Sequence, residues 1–343
     1  MNRLKTLSKL KLMLALLTVG LFVFPFISDS RTAFIILTQI FILAIFSMSY
    51  DLLLGYTGIV SFGHAMFFGI GAYTVAICLR HFGATISTVL LAALLTVIFT
   101  VVVSYLVGML TLRLKKHFFA MLTLAVASLF LVVAEKWRSL TMGNDGFTFV
   151  VPELFRDRVS FYFISLAFLV VMYLFLERFT QSPMGKVLEA IRENEVRVES
   201  LGYKVLHYKV IANVIAGMIA GLSGILYAMS LRFVNTTVFS VERTLDALLV
   251  TIIGGVGTLF GSVIGAALLE FARHGLMDLA KVHWVFERWV ILFGMVFILV
   301  VMFFPKGIVG TMKHWWKQRM YKKEQTNQLD ERSTNTLKED FHS

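Results

Sequence analysis

Four ionisable residues lie in or at the ends of long apolar runs: Asp51, His64, Glu135 and Glu270. A charged side chain at the centre of a bilayer costs about 2.5–3.5 kcal/mol on insertion scales, so such groups usually face other helices or a water-filled path. Carboxylates in that setting can relay protons, and a histidine can line a path or hydrogen-bond across a helix interface. Asp51, near the end of its run, is more typical of an interface. No second histidine, cysteine or carboxylate stands at ligand spacing from His64, so we predict no metal site.

Glycine is the other residue type with unusual spacing. One cluster reads GYTGIVSFGHAMFFGIGAY (residues 55–73), and a second reads GGVGTLFGSVIGA (residues 254–266). Glycines four apart let membrane helices pack backbone to backbone. Alternatively, the clusters interrupt helices beside a translocation path, because backbone groups freed by a break survive only within protein or water. Both interpretations stay open. The candidates for lining such a path are Asp51, Gly58, Ser61, Gly63, His64, Gly254, Gly255 and Gly257.

The composition places these groups in lipid. Of 343 residues, 58% are hydrophobic and 15% are charged, whereas about 25% are charged in ordinary soluble domains. At about 20 residues per crossing, this is material for roughly eight to ten membrane helices. It excludes a soluble domain, a disordered chain and a nucleic-acid binder, and the net charge of +11 fits the positive-inside rule. Continuous apolar runs argue against a β-barrel, and Cys78 alone cannot form an intrachain disulfide.

The order of apolar and charged segments predicts an all-α polytopic membrane protein with about ten transmembrane segments, some of them short or broken. Residues 1–11 form a basic cytoplasmic N-terminus, residues 12–310 the transmembrane region, and residues 311–343 a polar, disordered cytoplasmic tail. The run at 12–27 is either a signal sequence or, as we favour, an uncleaved first helix. Eight full spans plus re-entrant pieces are the alternative. The further predicted spans are 33–54, 58–80, 86–111, 118–134, 159–176, 210–231, 241–272 (broken at 254–257) and 288–304.

The charge distribution predicts on which side of the membrane each loop lies. The connection after Leu112 is basic and therefore cytoplasmic, which places the loop at 135–158 outside and the loop at 177–209 inside. Within the latter, Ser182 can cap a helix that Gly202 ends. Its charges are nearly balanced, with favourable Glu189–Arg192 and Glu193–Arg197 pairs. An apolar stripe of Val187, Ile191, Val198 and Leu201 follows the helical period, with Asn194 interrupting it. From these residues alone, the helix is equally typical of a docking surface and of a connector.

Five motifs in order carry a resemblance to a known family. These are the first glycine cluster, FFAMLTLA (residues 118–125), GKVLEAIRENE followed by LGY (residues 185–203), the second glycine cluster, and PKGIVG (residues 305–310). Together they resemble LivM-type permease subunits of branched-chain amino acid ABC importers over about residues 40–310. The sequence departs from the family pattern at Arg197 and Val198, where small alanines are common, and at Ser262, where proline is common.

The resemblance implies a multi-subunit importer of the bacterial plasma (inner) membrane, with both termini of this chain in the cytoplasm. The expected partners are a LivH-type second permease, two P-loop ATPase subunits, an extracytoplasmic substrate-binding protein and the lipid bilayer. It also implies that the coupling segment facing the ATPase contains Gly185, Glu189, Ala190, Ile191, Arg192, Glu193 and Gly202. This favours docking over a plain connector.

We therefore predict a transport permease and not an enzyme, which moves branched-chain amino acids by alternating access. The chain contains no G-x-x-x-x-G-K-[ST] loop, the motif that cradles nucleotide phosphates. ATP and Mg²⁺ are thus expected on a partner subunit, with no cofactor in this chain. The alternatives are a permease for urea or short amides and an ion-coupled secondary transporter.

Overall fold

The computed structural model describes residues 18–26, 30–113 and 116–280, together with 291, 294–295, 298–299, 302–303 and 307–311. Residues 18–26 are helical (α1). The following helices are α2 (Arg31–Thr57), α3 (Ala65–Phe82), α4 (Ile86–Thr111), α5 (Lys116–Lys136), α6 (Arg138–Thr141), α7 (Glu153–Arg156), α8 (Arg158–Gln181), α9 (Pro183–Glu193), α10 (Glu195–Ser200), α11 (Val205–Leu231), α12 (Val241–Gly254) and α13 (Leu259–Ala280).

Seven of these helices are long and apolar enough to cross a membrane: α2, α3, α4, α5, α8, α11 and α13. Helix α12 has 14 residues and is about 21 Å long at 1.5 Å per residue, which is shorter than the roughly 30 Å hydrocarbon core. Apolar side chains of α4 such as Leu90 and Leu110 point outward and are 66% and 70% exposed. Such an apolar surface is unfavourable in water but favourable in contact with lipid. The predicted all-α polytopic fold is confirmed.

The centre of the bundle is built around α11, which packs against α2, α3 and α4. Its contact with α3 depends on glycine. A Cβ on Gly71 would strike the backbone carbonyl of Gly221, and one on Gly224 would strike that of Phe68. The two backbones therefore touch directly, which is how van der Waals packing holds membrane helices together.

The bundle has two distinct ends because α8 and α11 both run from one to the other. At one end, the loop at 135–158 folds onto the segment after α11. There β1 (Phe147–Thr148) pairs antiparallel with β2 (Phe233–Val234), and the Thr236 hydroxyl donates to Asn144 Oδ1 at 2.7 Å. The opposite end carries α9 and α10. The 24 residues of α8 separate the two ends by about 36 Å, so the loops at 135–158 and 177–209 lie on opposite sides, as their predicted sidedness requires.

Most predicted spans match observed helices, with two informative differences. The span predicted at 58–80 begins only at Ala65, and residues 58–64 are not helical. The break predicted within 241–272 is confirmed, because α12 ends at Gly254 and α13 begins at Leu259. The described positions at 291, 294–295, 298–299 and 302–303 are helical. The total of about ten segments stays a prediction, and residues 1–11 and 312–343 lie outside the described part.

Candidate functional site

Helix α2 ends where glycine permits a left-handed backbone. Gly58 has φ = +71° and terminates the helix. The chain then runs without helical structure to His64, beside Ser49 of α2, before α3 begins. Ser49 lies eight residues before the end of α2, about 12 Å along its axis at 1.5 Å per residue. The segment 58–64 thus runs back along α2, and we call it the climbing segment. Helix α3 therefore starts well inside the bundle.

The second glycine cluster forms a comparable break between α12 and α13. Gly255 and Gly257 have φ values of +118° and +80°, a backbone region that costs other residues about 1–2 kcal/mol. Gly254 and Gly261 instead allow close backbone packing, because a Cβ on Gly254 would overlap the backbone carbonyl of Gly261. The two interpretations of the glycine clusters, helix breaking and close packing, are therefore both realised within one motif.

The buried carboxylate of Asp51 joins these two breaks. Asp51 is fully buried on α2, and its Oδ1 accepts a hydrogen bond from the backbone N–H of Gly257 at 2.8 Å. Gly55, one turn further along α2, has no side chain in the way. A Cβ there would lie 2.5 Å from the nitrogen of Gly257. The carboxylate thus satisfies a backbone donor that the break between α12 and α13 leaves free.

The loop at 177–209, which the charge distribution predicts to be cytoplasmic, forms two helices. Ser182 caps α9 by accepting from the N–H of Gly185 at 3.3 Å, as its position before Pro183 predicts. The helix predicted to continue to Gly202 is wrong, however, because Asn194 adopts an extended backbone that ends α9 and then caps α10 by accepting from the N–H of Arg197 at 3.0 Å. Asparagine favours this role because its side chain competes for nearby backbone donors. Gly202 ends the segment with φ = +87°, as predicted.

The contacts of this segment also correct its predicted faces. Leu188, Ile191 and Val198 are buried, whereas Leu201 is 72% exposed. The break at Asn194 rotates the second half of the stripe, which a continuous helical period does not anticipate. The predicted Glu189–Arg192 and Glu193–Arg197 pairs do not form. Two other ion pairs are present: Lys186 Nζ to Glu189 Oε2 at 2.9 Å, and Lys209 Nζ to Glu195 Oε1 at 2.6 Å.

The side chain of Arg192 extends away from α9 and contacts both glycine breaks. Its Nη1 donates a hydrogen bond to the backbone carbonyl of Gly55. Its Cγ lies 3.2 Å from where a Cβ of Gly58 would stand, and its Nη1 lies 2.9 Å from the same position on Gly257. A cation also suits the last turn of α2, since helix carbonyls give that end a partial negative charge. We call Asp51, Gly55, Gly58, Arg192 and Gly257 the arginine junction.

The other predicted coupling residues, apart from Gly202 after α10, lie beside Arg192 on α9. Gly185 is buried, and a Cβ there would strike the backbone carbonyl of Thr180. Ile191 is buried, Glu189 and Ala190 are partly buried, and Glu193 is exposed. Helix α9 packs against α2, α8 and α11 with its apolar side. Glu193 and the outer surface of α9 are therefore available to a partner, while Arg192 points back into the bundle.

The remaining path candidates lie in the segment 58–64. His64 is fully buried, and its Nε2 is 2.8 Å from the hydroxyl of Ser49. Because that hydroxyl donates its proton to the carbonyl of Phe46 at 2.6 Å, His64 Nε2 must be the donor. The Ser61 hydroxyl accepts from the N–H of Gly63 at 3.3 Å. The fold brings the eight candidates to two adjoining places, the arginine junction with its break and the climbing segment. Their role in a path stays a prediction.

A charged cluster on α12 and α13 was largely missed by sequence reasoning, which singled out only Glu270. Arg273 Nη2 lies 3.0 Å from Asp246 Oδ1, and Arg243 Nη1 lies 4.0 Å from Asp246 Oδ2. Arg273 Nη1 also lies 3.6 Å from Glu270 Oε1. The available signal was the three-residue spacing of Arg243 to Asp246 and of Glu270 to Arg273, which places each pair on one helix face. We call Arg243, Asp246, Glu270 and Arg273 the charged cluster.

Comparison with known proteins accords with this architecture. Residues 32–301 match the sequence model of the family described as branched-chain amino acid transport system, permease component. The high-affinity branched-chain amino acid transport system permease proteins LivM of Salmonella typhimurium and Escherichia coli are each 27% identical to the chain, over 88% of it and 75% of their own length. A probable branched-chain amino acid transport permease protein LivM of Methanocaldococcus jannaschii is 25% identical over 77% of the chain and 89% of its own length.

No solved structure matches the chain. The family match covers both glycine breaks, α9 with Arg192, and the charged cluster. The resemblance inferred from the ordered motifs is thereby confirmed. The chain belongs to the permease component family of branched-chain amino acid transport systems, and it is a multi-pass membrane protein.

Proposed function

We propose that this chain is one permease subunit of an ATP-driven importer that moves branched-chain amino acids across a bacterial plasma membrane by alternating access. A LivH-type permease completes the pathway, and an extracytoplasmic binding protein delivers the amino acid. Two P-loop ATPase subunits bind ATP and Mg²⁺ at the cytoplasmic face, where both termini of this chain also lie. The names and family of the similar proteins support the substrate class, and the absence of a phosphate-binding loop in this sequence fits a separate ATPase.

The single observation that carries the coupling proposal is the Arg192 contact. Helix α9 offers an outer surface to a partner, and its Arg192 holds the end of α2 through the Gly55 carbonyl. Asp51, on the same last turns of α2, holds the N–H of Gly257 in the break between α12 and α13. A displacement of α9 by the ATPase therefore reaches two helix breaks at once.

These breaks are suitable places for movement. Glycines at positive φ lie between the helices there and have no side chains to obstruct rotation. One carboxylate and one guanidinium, instead of a continuous ladder of helical hydrogen bonds, satisfy the freed backbone groups. When α9 moves, α12 and the climbing segment 58–64 can rotate relative to α2. In this proposal, that rotation opens the pathway alternately to each side.

The outer end of the bundle is the proposed docking surface for the binding protein. The loop at 135–158 and the segment after α11 are held together there by β1, β2 and the hydrogen bond from Thr236 to Asn144. Arg232 Nη2 adds a hydrogen bond to the carbonyl of Arg156 at 2.7 Å. A surface braced in this way can transmit contact with a partner to α8 and α11.

Reconstitution tests the proposal and separates it from its two alternatives. The chain is co-purified with a LivH-type permease, the ATPase subunits and the binding protein of the same organism, and placed in proteoliposomes. We expect radiolabelled leucine to accumulate only with ATP and the binding protein, unaffected by collapse of proton and sodium gradients. Uptake that competes with urea or acetamide instead of leucine would favour an amide permease. Ion-driven uptake by this chain alone would favour a secondary transporter and refute the proposal.

A further inference from the structure

A cavity of about 110 Å³ lies beside the charged cluster, among α2, α3, α11, α12 and α13. Its polar lining comprises Gln39, Tyr227, Arg243, Asp246, Glu270 and Arg273. Intramembrane ionisable groups are costly and, by default, indicate function. The arginine junction and the climbing segment contribute no residue to this lining, so the cavity is a separate feature of the fold.

The ionisable side chains that line the cavity are unevenly paired with one another. Both oxygens of Asp246 face arginines, Arg273 at 3.0 Å and Arg243 at 4.0 Å. Arg243 also stacks on the ring of Tyr227, with its guanidinium carbon 4.6 Å from the ring centroid, and donates to the Tyr227 hydroxyl. These groups are held in place, and their two cations exceed their one anion until Glu270 is counted.

Glu270 is the exception among these side chains. It is 5% exposed, and its Oε1 lies 3.6 Å from Arg273 Nη1. Its Oε2 accepts no hydrogen bond from any described residue, and a ring nitrogen of His274, Nδ1, lies 3.5 Å away. A buried carboxylate oxygen without a donor costs free energy unless something supplies one. The lining therefore contains an acceptor that is ready for a cationic donor.

The rest of the lining is apolar and comprises Ile42, Leu43 and Phe46 of α2 and Phe68 of α3. A molecule that fills this space meets two guanidinium groups, a carboxylate oxygen without a hydrogen bond, and hydrocarbon. The pattern of a few placed polar groups in an otherwise apolar pocket is typical of small-molecule sites.

We propose that this cavity is a transient binding site for a zwitterionic α-amino acid with an apolar side chain. The α-carboxylate lies against Arg243 and Arg273, the α-ammonium donates to Glu270 Oε2, and the side chain packs on Phe46, Phe68 and their aliphatic neighbours. The charged cluster has two cations and two anions, so a zwitterion enters without adding net charge. This inference rests on the proposed function and names where, within this chain, the imported amino acid pauses.

The small volume of the cavity is consistent with transient binding. An engineered apolar cavity of about 150 Å³ admits benzene, and a cavity of about 110 Å³ is somewhat smaller. An amino acid therefore enters only as the walls separate. The side chains of Arg243 and Arg273 are 27% and 24% exposed, so both retain room to move outward. A site that closes when empty and opens during the transport cycle releases its ligand readily.

Binding to the reconstituted permease complex, without the binding protein, tests this site with three probes. Leucine carries both charges, 4-methylpentanoate only the carboxylate, and 3-methylbutylamine only the ammonium. We expect leucine to bind best. Glu270→Gln should weaken leucine binding about tenfold and leave 4-methylpentanoate binding unchanged, because it removes only the partner of the ammonium. A purely structural Glu270 would alter stability without changing the ratio between the probes.

A second variant leaves every charged group intact. Leu43→Phe fills the cavity from α2, and Leu37→Phe, on the same helix and also partly buried, serves as the matched control outside the lining. We expect only Leu43→Phe to abolish leucine binding and slow ATP-driven uptake, with both complexes assembling normally by size exclusion.

Two results would overturn the site and leave the proposed function standing. One is a wild-type complex that imports leucine yet binds none without the binding protein. The other is an unchanged probe ratio in Glu270→Gln together with equal binding by Leu43→Phe and Leu37→Phe. Failure of the wild-type complex to import leucine with ATP and the binding protein would instead refute the proposed function, and the site with it.

Discussion

Replacing Arg192 by alanine should separate ATP hydrolysis from transport. The side chain donates a charge-assisted hydrogen bond to the Gly55 carbonyl, and bonds to charged groups are worth about 1.5–3 kcal/mol. Its favourable position at the end of α2 adds about 0.3–1 kcal/mol. Because Arg192 is exposed on its outer side, solvent weakens the interaction, and we place the total at about 1.4–2 kcal/mol.

This free energy converts to a change in coupling. Each 1.4 kcal/mol is a factor of ten in an equilibrium constant, so Arg192→Ala should lower the leucine imported per ATP hydrolysed by about 10- to 30-fold. The ATPase should still co-purify with the complex, since the buried face of α9 is formed by Leu188 and Ile191 and stays intact. Arg192→Lys keeps the charge and an ammonium donor but loses the planar guanidinium. Its ratio of leucine imported to ATP hydrolysed should lie between those of the wild type and Arg192→Ala.

The assay measures leucine uptake and phosphate release in the same proteoliposomes. Arg113→Ala is the matched control, because Arg113 is an exposed arginine that directly follows α4 and has no ion pair or side-chain hydrogen bond among the described residues. Surface substitutions of this kind change stability by less than about 0.5 kcal/mol, so its coupling ratio should stay within about twofold of the wild type.

Two results would refute this reasoning. A wild-type ratio of uptake to hydrolysis in Arg192→Ala would show that the contact with Gly55 transmits nothing. Loss of the ATPase from the Arg192→Ala complex would show that Arg192 is a docking residue and not a link to the helix breaks.

Three further predictions concern single features of the fold. Gly257→Ala should lower the thermal unfolding midpoint more than Gly202→Ala, because both have positive φ but only Gly257 would place a Cβ 2.9 Å from the Arg192 guanidinium; equal losses in a detergent melt would count against the crowded junction. In a background without the native cysteine, an impermeant maleimide should label Val150→Cys from outside and Leu201→Cys from inside, since these exposed positions lie at opposite ends of the bundle; labelling from one side only would contradict the sidedness. Backbone and hydroxyl donors in the first turn of α8 hold the pKa of Asp157 below its ordinary value, so its stabilising effect is present above the unfolded pKa of about 3.9 and is lost as pH falls through the lowered pKa. Asp157→Ala should therefore melt earlier at pH 7 and converge with the wild type in strong acid, and a gap that persists there would exclude the carboxylate as its cause.

The class of protein follows from the order of the residues alone. Apolar runs of about 20 residues can only be membrane helices, because lipid leaves backbone groups no other partner than their own helix. The balance of basic loops predicted which connections share a side. Local backbone chemistry was also readable: Ser182 caps α9, and positive φ at Gly58, Gly202, Gly255 and Gly257 ends or breaks helices where glycine stands. These are short-range effects, decided within a few residues of the chain.

Which distant groups meet depends on how the helices pack. Arg192 was expected to pair with Glu189, three residues away, yet it reaches Gly55, 137 residues away. Asp51 bonds to Gly257 across 206 residues, and the charged cluster closes only when α12 folds back on α13. Helical spacing reports neighbours on one helix, but α9 packs against α2 because their apolar faces bury one another. The long, flexible side chain of Arg192 then donates to an acceptor that this packing brings close. That acceptor is the Gly55 carbonyl, near the end of α2, where helix carbonyls lack intrahelical partners.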